Sequence, residues 1–266
     1  GGDLLVEILE YLDWEKIKSL KPKWMQGFSD ITGINYLWNT MLEIPSIYCQ
    51  TIKDYAMRPL YRNLTDALKI ASGEEFEQTS FEKHEKIVDF RIEENLETLE
   101  NQETIEELGI EKEEIERKKV EKGYELTEDT KGRAIGGCLD CIKAFVGTKY
   151  DNVKEYIEKY KQEGIVWFLE VFEMSTSTLY LTLWQMKEAG YFENCNGIVF
   201  GRPLFIRNDY DIDFNQTVKD VLGDLDIPII CDADIGHVSP QFAMVNGAIL
   251  EVFSKEGKGV VKTILK

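Results

Sequence analysis

The chain has 266 residues, 43% of them hydrophobic, which suffices for one large core or two modest ones and excludes a disordered polymer. A formal net charge of -18 excludes nucleic-acid binding through a general basic surface and docking on anionic lipid. No apolar run is long enough to span a bilayer, no basic-then-apolar leader opens the chain, and five scattered cysteines suit a reducing compartment, so a cytoplasmic location is expected.

The chain opens on Gly1-Gly2 rather than methionine and passes directly into a helical pattern (Leu4, Leu5, Ile8, Leu9, Leu12), so an upstream segment is expected. Residues 23–28 read as a short strand. Residues 31–42 read as a helix with Ile31, Ile34, Leu37, Trp38 and Met41 on one face. A second strand at 46–49 and a helix over 60–71, ended by Gly73, follow. Between 76 and 130 the composition changes: residues 93–122 are dense in Glu and Lys and nearly free of aromatics, the pattern of a solvated helical insertion.

Regular folding resumes at Arg133, with Gly136-Gly137 leading into a helical face of Leu139, Ile142 and Phe145. Residues 164–171 (GIVWFLEV) are continuously apolar up to Glu170, as in a strand covered on both faces. A helix over 175–189 is capped by Ser175, Thr176 or Ser177 and closed by Gly190. A strand at 196–200, a helix at 216–222, a strand at 227–231 and a hairpin of 248–253 with 259–265 complete the chain. The strand–helix alternation from 164 onward predicts parallel pairing by right-handed crossovers, with chemistry beyond the carboxyl ends of the strands.

That rule selects three residues. Ser29 follows the strand at 23–28, Glu170 ends the most apolar strand, and His237 lies in the loop Asp234-Ile235-Gly236-His237. A serine needs a base to become a nucleophile, and the base works better when a carboxylate orients it. Of the two histidines, His84 sits in a charged, solvent-facing stretch, which leaves His237 for an imidazole base. Each residue also has a plain structural reading. Ser29 is a good cap for the helix at 31, Glu170 competes with Glu173 as a partner for the helix at 175, and His237 serves equally as an ordinary loop histidine. Asp30, at the helix start, offers an amide N–H where an oxyanion hole would be built. Gly27 and Ser29 fit the G-x-S-x-G elbow of common esterases, but position 31 is Ile. Cys138 and Cys141 have CxxC spacing with no second pair, so two small buried thiols are expected and no metal site. A glycosidase pair of Glu170 with Asp232 or Asp234 explains neither the elbow nor the histidine.

These pieces, with Pro22-Lys23, Gly27-Phe28-Ser29-Asp30-Ile31-Thr32, Arg133-Ala134-Ile135-Gly136-Gly137, Gly147-Thr148-Lys149-Tyr150, Phe168-Leu169-Glu170, Gly197-Ile198-Val199-Phe200-Gly201 and Gly236-His237 in order, resemble the serine peptidases of the LD-carboxypeptidase type, which include the microcin C self-immunity hydrolases. The resemblance implies an α/β fold. A Rossmann-like N-terminal layer (1–75, truncated relative to the family) would hold the serine elbow, the charged insertion would occupy 76–130, and a smaller barrel-like α/β domain (131–266) would carry the Glu and the His. It implies Ser29 as nucleophile, His237 as general base and Glu170 as its partner, with an oxyanion site at the Asp30 amide and the Gly1-Gly2 turn. It further implies a homodimer that uses no cofactor or metal and acts on a peptide or peptidyl small molecule, either a murein L,D-tetrapeptide or a peptidyl-nucleotide. Arg133 or Arg202 is a candidate for binding a terminal carboxylate, although a structural or surface role is the favoured reading of each. Cys138 stands where the family often has Asn. The reading set against an enzyme is a truncated, non-catalytic fragment acting as a binding module.

Overall fold

A computed structural model describes residues 4–85, 114–116, 130–255 and 257–265. The strands are β1 (Gln26–Gly27), β2 (Ser46–Tyr48), β3 (Phe76–Thr79), β4 (Lys83–Glu85), β5 (Glu114–Glu116), β6 (Thr130–Cys138), β7 (Ile165–Glu170), β8 (Cys195–Gly201), β9 (Ile229–Ala233), β10 (Met244–Asn246), β11 (Ile249–Lys255) and β12 (Lys258–Ile264). Seven form one mixed sheet in the order β3-β12-β11-β6-β7-β8-β9, in which β6 to β9 are parallel and β11, β12 and β3 antiparallel. The α/β class and the parallel run of strands are as the alternation predicts. The crossovers from β7 to β8 and from β8 to β9 are the helices Thr176–Glu188 and Phe214–Leu222, N-capped by the Ser175 and Asp213 side chains. All six residues of β7 are buried because its two faces serve two cores. Ile165, Trp167 and Leu169 pack under the crossover helices, while Val166 and Phe168 face Leu250, Val252 and Tyr48.

A smaller sheet, β1-β2-β10, carries the elbow. β1 is only two residues long, against the strand expected over 23–28, and β10, from far along the chain, pairs antiparallel with β2. The small sheet is thereby stitched to the large one. The glycine pair lets them touch. A Cβ on Gly136 would stand 1.7 Å from the Phe168 carbonyl oxygen, and one on Gly137 2.7 Å from Thr32 Cγ2. The helix Thr32–Leu42 therefore docks directly on the end of β6, where the Cys138 amide donates to Thr32 Oγ1 at 3.0 Å.

Three local expectations change. Phe76–Thr79, placed in the insertion, is a strand of the large sheet paired with β12. Lys83–Glu85 and Glu114–Glu116 are paired antiparallel where a helical insertion was expected, and the rest of the charged stretch lies outside the described residues. His84 is half-buried, not fully solvent-facing.

Burial pushes the thiols of Cys49, Cys195 and Cys231 up to about 12 from an ordinary 9.0. The folded chain holds these protons more tightly than the unfolded one. Their contribution to stability is therefore complete below about pH 9 and is lost as pH rises towards about 12. Urea midpoints measured between pH 8 and 11 are expected to fall across the upper half of that range.

Candidate active site

Ser29 sits where β1 gives way to a single tight turn, Ser29–Ile31, followed by the helix Thr32–Leu42. Its backbone has φ 61, a left-handed conformation that a non-glycine residue adopts at a cost of roughly 1–3 kcal/mol and that clusters at active sites. The turn is closed tightly: a Cβ on Gly27 would lie 2.9 Å from Ile31 Cγ2. The cap position of the long helix is Ile31, and no side chain caps either turn. The helix-cap reading of Ser29 thus finds no support in the hydrogen bonds. The Ser29 carbonyl accepts the Cys141 S–H at 3.7 Å.

Glu170 and His237 are brought together. Glu170 is fully buried, and its Oε2 lies 3.0 Å from His237 Nδ1. Gly236 makes this approach possible, since at φ +97 a side chain is strained and its Cβ would stand 2.7 Å from Glu170 Oε2. Gly236→Ala is therefore expected to lose stability by about 1–3 kcal/mol and turnover by about 10²-fold, read by thermal unfolding and kcat/KM. The imidazole packs against two rings, Phe28 at 5.0 Å and Phe172 at 4.4 Å between centroids. Phe28 immediately precedes Ser29, so the elbow and the imidazole are packed neighbours. With Nδ1 committed to Glu170, Nε2 is the ring nitrogen that can accept a proton.

The competing assignments separate. Glu173 is exposed, whereas Glu170 is the carboxylate hydrogen-bonded to the imidazole among the described residues. Asp234 is held by Arg202 in a buried ion pair and also accepts the Phe81 amide at 2.9 Å. Arg202 further donates to the Asp232 carbonyl at 3.0 Å. Of the two readings of Arg202 and Arg133, substrate carboxylate or structural role, the internal pairing favours the structural one. Arg133 is occupied by Glu163 at 2.6 Å, by the Gly247 carbonyl and by the Tyr160 ring. What the Arg202–Asp234 pair does is hold the loop that carries His237. Breaking it by Arg202→Met leaves a buried carboxylate without its counter-charge and is expected to cost about 3–5 kcal/mol, measurable by urea denaturation.

Cys138 is buried and Cys141 half-buried, both as free thiols, and the described residues contain no group of three or more metal-ligating side chains. Gly1 and Gly2 lie outside the described residues. Tyr48 was missed by sequence reasoning. It is fully buried at the end of β2, accepts the Ser29 N–H at 3.2 Å and donates its hydroxyl to Glu170 Oε1 at 2.6 Å. In sequence it is one aromatic in a short apolar run, which is the ordinary signature of core. Asp140 also escaped notice; its carboxylate accepts the amides of Phe172 and Glu173 at 2.9 and 3.1 Å, fixing the turn that carries the Phe172 ring.

The LD-carboxypeptidase N-terminal domain family matches residues 1–49 and the LD-carboxypeptidase C-terminal domain family matches residues 131–252. No curated protein matches the sequence significantly. Among solved structures, a muramoyltetrapeptide carboxypeptidase from Oxalobacter formigenes is 18% identical with a TM-score of 0.65, covering 98% of this chain and 74% of that one. An MccF-like protein from Bacillus anthracis str. Ames is 21% identical with a TM-score of 0.69, covering 98% and 73%. The microcin C7 self immunity protein MccF is 18% identical with a TM-score of 0.69, covering 97% and 72%, and has also been solved in complex with glutamyl sulfamoyl guanosine. The two family domains match in order over more than half of the chain, and these structures share its fold: the chain belongs to the LD-carboxypeptidase family of serine peptidases.

Proposed function

We propose that this chain is a serine carboxypeptidase-type hydrolase in which Ser29, His237 and Glu170 act as nucleophile, general base and orienting carboxylate. The observation that carries this reading is the pairing of His237 with the buried Glu170, the imidazole packing against the residue preceding a left-handed serine. His237 Nε2 takes the Ser29 proton as the hydroxyl oxygen attacks an amide carbonyl. Glu170 stabilises the imidazolium that forms, and the ring then protonates the leaving amine. Water repeats the sequence to release the acyl group. The amide of Asp30 is the proposed oxyanion donor, with Gly1-Gly2 proposed as the second. The Ser29 amide is taken by Tyr48 and is not counted on.

In this reading the elbow lies in residues 1–75, the general base and its carboxylate in 131–266, and the enzyme works as a cytoplasmic homodimer. No helix among the described residues is long and apolar enough to cross a membrane. The substrate class is an amide near a free carboxyl terminus. Similarity to a muramoyltetrapeptide carboxypeptidase favours the murein L,D-tetrapeptide. Similarity to a protein solved with glutamyl sulfamoyl guanosine favours a peptidyl-nucleotide-like amide. Incubating the purified chain with each class and reading released amine or D-amino acid by mass spectrometry discriminates them. Silence towards both, with no labelling of Ser29 by a fluorophosphonate, would instead favour the binding module.

A further inference from the structure

The elbow and the carboxylate come from segments more than a hundred residues apart, yet one side chain spans them. The Tyr48 hydroxyl accepts the Ser29 N–H at 3.2 Å and donates to Glu170 Oε1 at 2.6 Å, while Glu170 Oε2 holds His237 Nδ1 at 3.0 Å. The ring is fixed by Phe168 at 5.8 Å and Phe28 at 6.5 Å between centroids, and by the bare Cα of Gly137. A phenylalanine would fill the same space. A buried hydroxyl is costly unless paired, and this one is paired on both sides. We propose that Tyr48 is a positioning residue that couples the serine elbow to Glu170, through which it sets the basicity of His237; the catalytic consequence, though not the coupling itself, rests on the function proposed above.

The left-handed backbone of Ser29 needs an interaction that over-determines it, and the Ser29 N–H to Tyr48 bond supplies one from a fully buried partner. Glu170 shares its charge between two donors. A hydrogen bond from the phenol stabilises the carboxylate and lessens its pull on the imidazole. Burial and the neighbouring Glu170 raise the Tyr48 phenol well above its ordinary value, so it remains a donor at any working pH.

The test is Tyr48→Phe. Because the chain has only two histidines, His237 can be followed by ring NMR without any substrate. The His237 pKa is expected to rise by about one unit relative to the unchanged protein. Fluorophosphonate labelling of Ser29 is expected to slow by about 10²-fold, and the acid limb of kcat/KM to move upward in pH. A merely packing role would alter stability and move none of the three. An unshifted His237 titration in a folded variant overturns the coupling whatever the activity. A shifted titration in a protein whose Ser29 never labels, wild type included, upholds the coupling and removes the peptidase reading. Should Tyr48→Phe not fold, the wild-type hydroxyl proton is the second measurement. It is expected as a slowly exchanging resonance that Glu170→Gln displaces, and its absence overturns the proposal.

Discussion

Ser29→Ala is expected to lower kcat by about 10⁶-fold while the thermal midpoint stays within a few degrees of wild type. Under the proposed mechanism the size follows from how a nucleophile, its base and its orienting group act as a unit: removing the attacking oxygen would leave His237 and Glu170 with no proton to move, and only binding and the oxyanion donors would remain. The small effect on folding follows from the hydrogen bonds. The Ser29 contacts run through its backbone amide and carbonyl, to Tyr48 and Cys141, and alanine keeps both. Alanine must still adopt φ 61, so Ser29→Gly is the companion variant, expected to be as inactive and at least as stable. Turnover of either chain at more than a thousandth of the wild-type rate would remove Ser29 from the mechanism.

Glu170→Gln is expected to cost about 10⁴-fold in kcat, the scale associated with losing the correct histidine tautomer. The replacement is nearly isosteric, so Gly236 still fits and the amide oxygen still accepts from Tyr48. The amide nitrogen, however, donates towards His237 Nδ1, which must then present a lone pair. The ring proton moves to Nε2, the atom that should receive the Ser29 proton. Nitrogen-resolved NMR of His237 would show Nδ1 changing from protonated to bare, and steady-state kinetics would show the loss. A rate within tenfold of wild type would mean that Glu170 is only a structural partner of the loop.

Part of this site was readable before any coordinates. The strand ending at Glu170 was legible because both of its faces are buried, which makes its apolar run continuous. The hairpin Ile249–Lys255 with Lys258–Ile264 was legible to within a few residues of its bounds. Gly136-Gly137 and Gly236 stood out as residue types. Their purpose did not, because it depends on which backbone or carboxylate stands opposite. β1, β2 and β10 are two or three residues long, too short for a period to show, and Phe76–Thr79 pairs with a strand near the far end of the chain. Arg202 was left open in sequence between a structural role and a substrate contact, and in space it is buried against Asp234.

By itself the sequence determined the α/β class, the parallel core strands and a short set of candidates at strand ends, because those depend on local periodicity and residue type. The family was also legible in its ordered motifs. Only the tertiary structure decided that Glu170 bonds the imidazole while Glu173 is exposed, that both arginines are internally paired, and that Tyr48 joins the serine elbow to the carboxylate. Those outcomes depend on sheet register and on backbone approaches that bare glycines permit, and side-chain direction across a hundred residues leaves no local pattern to read.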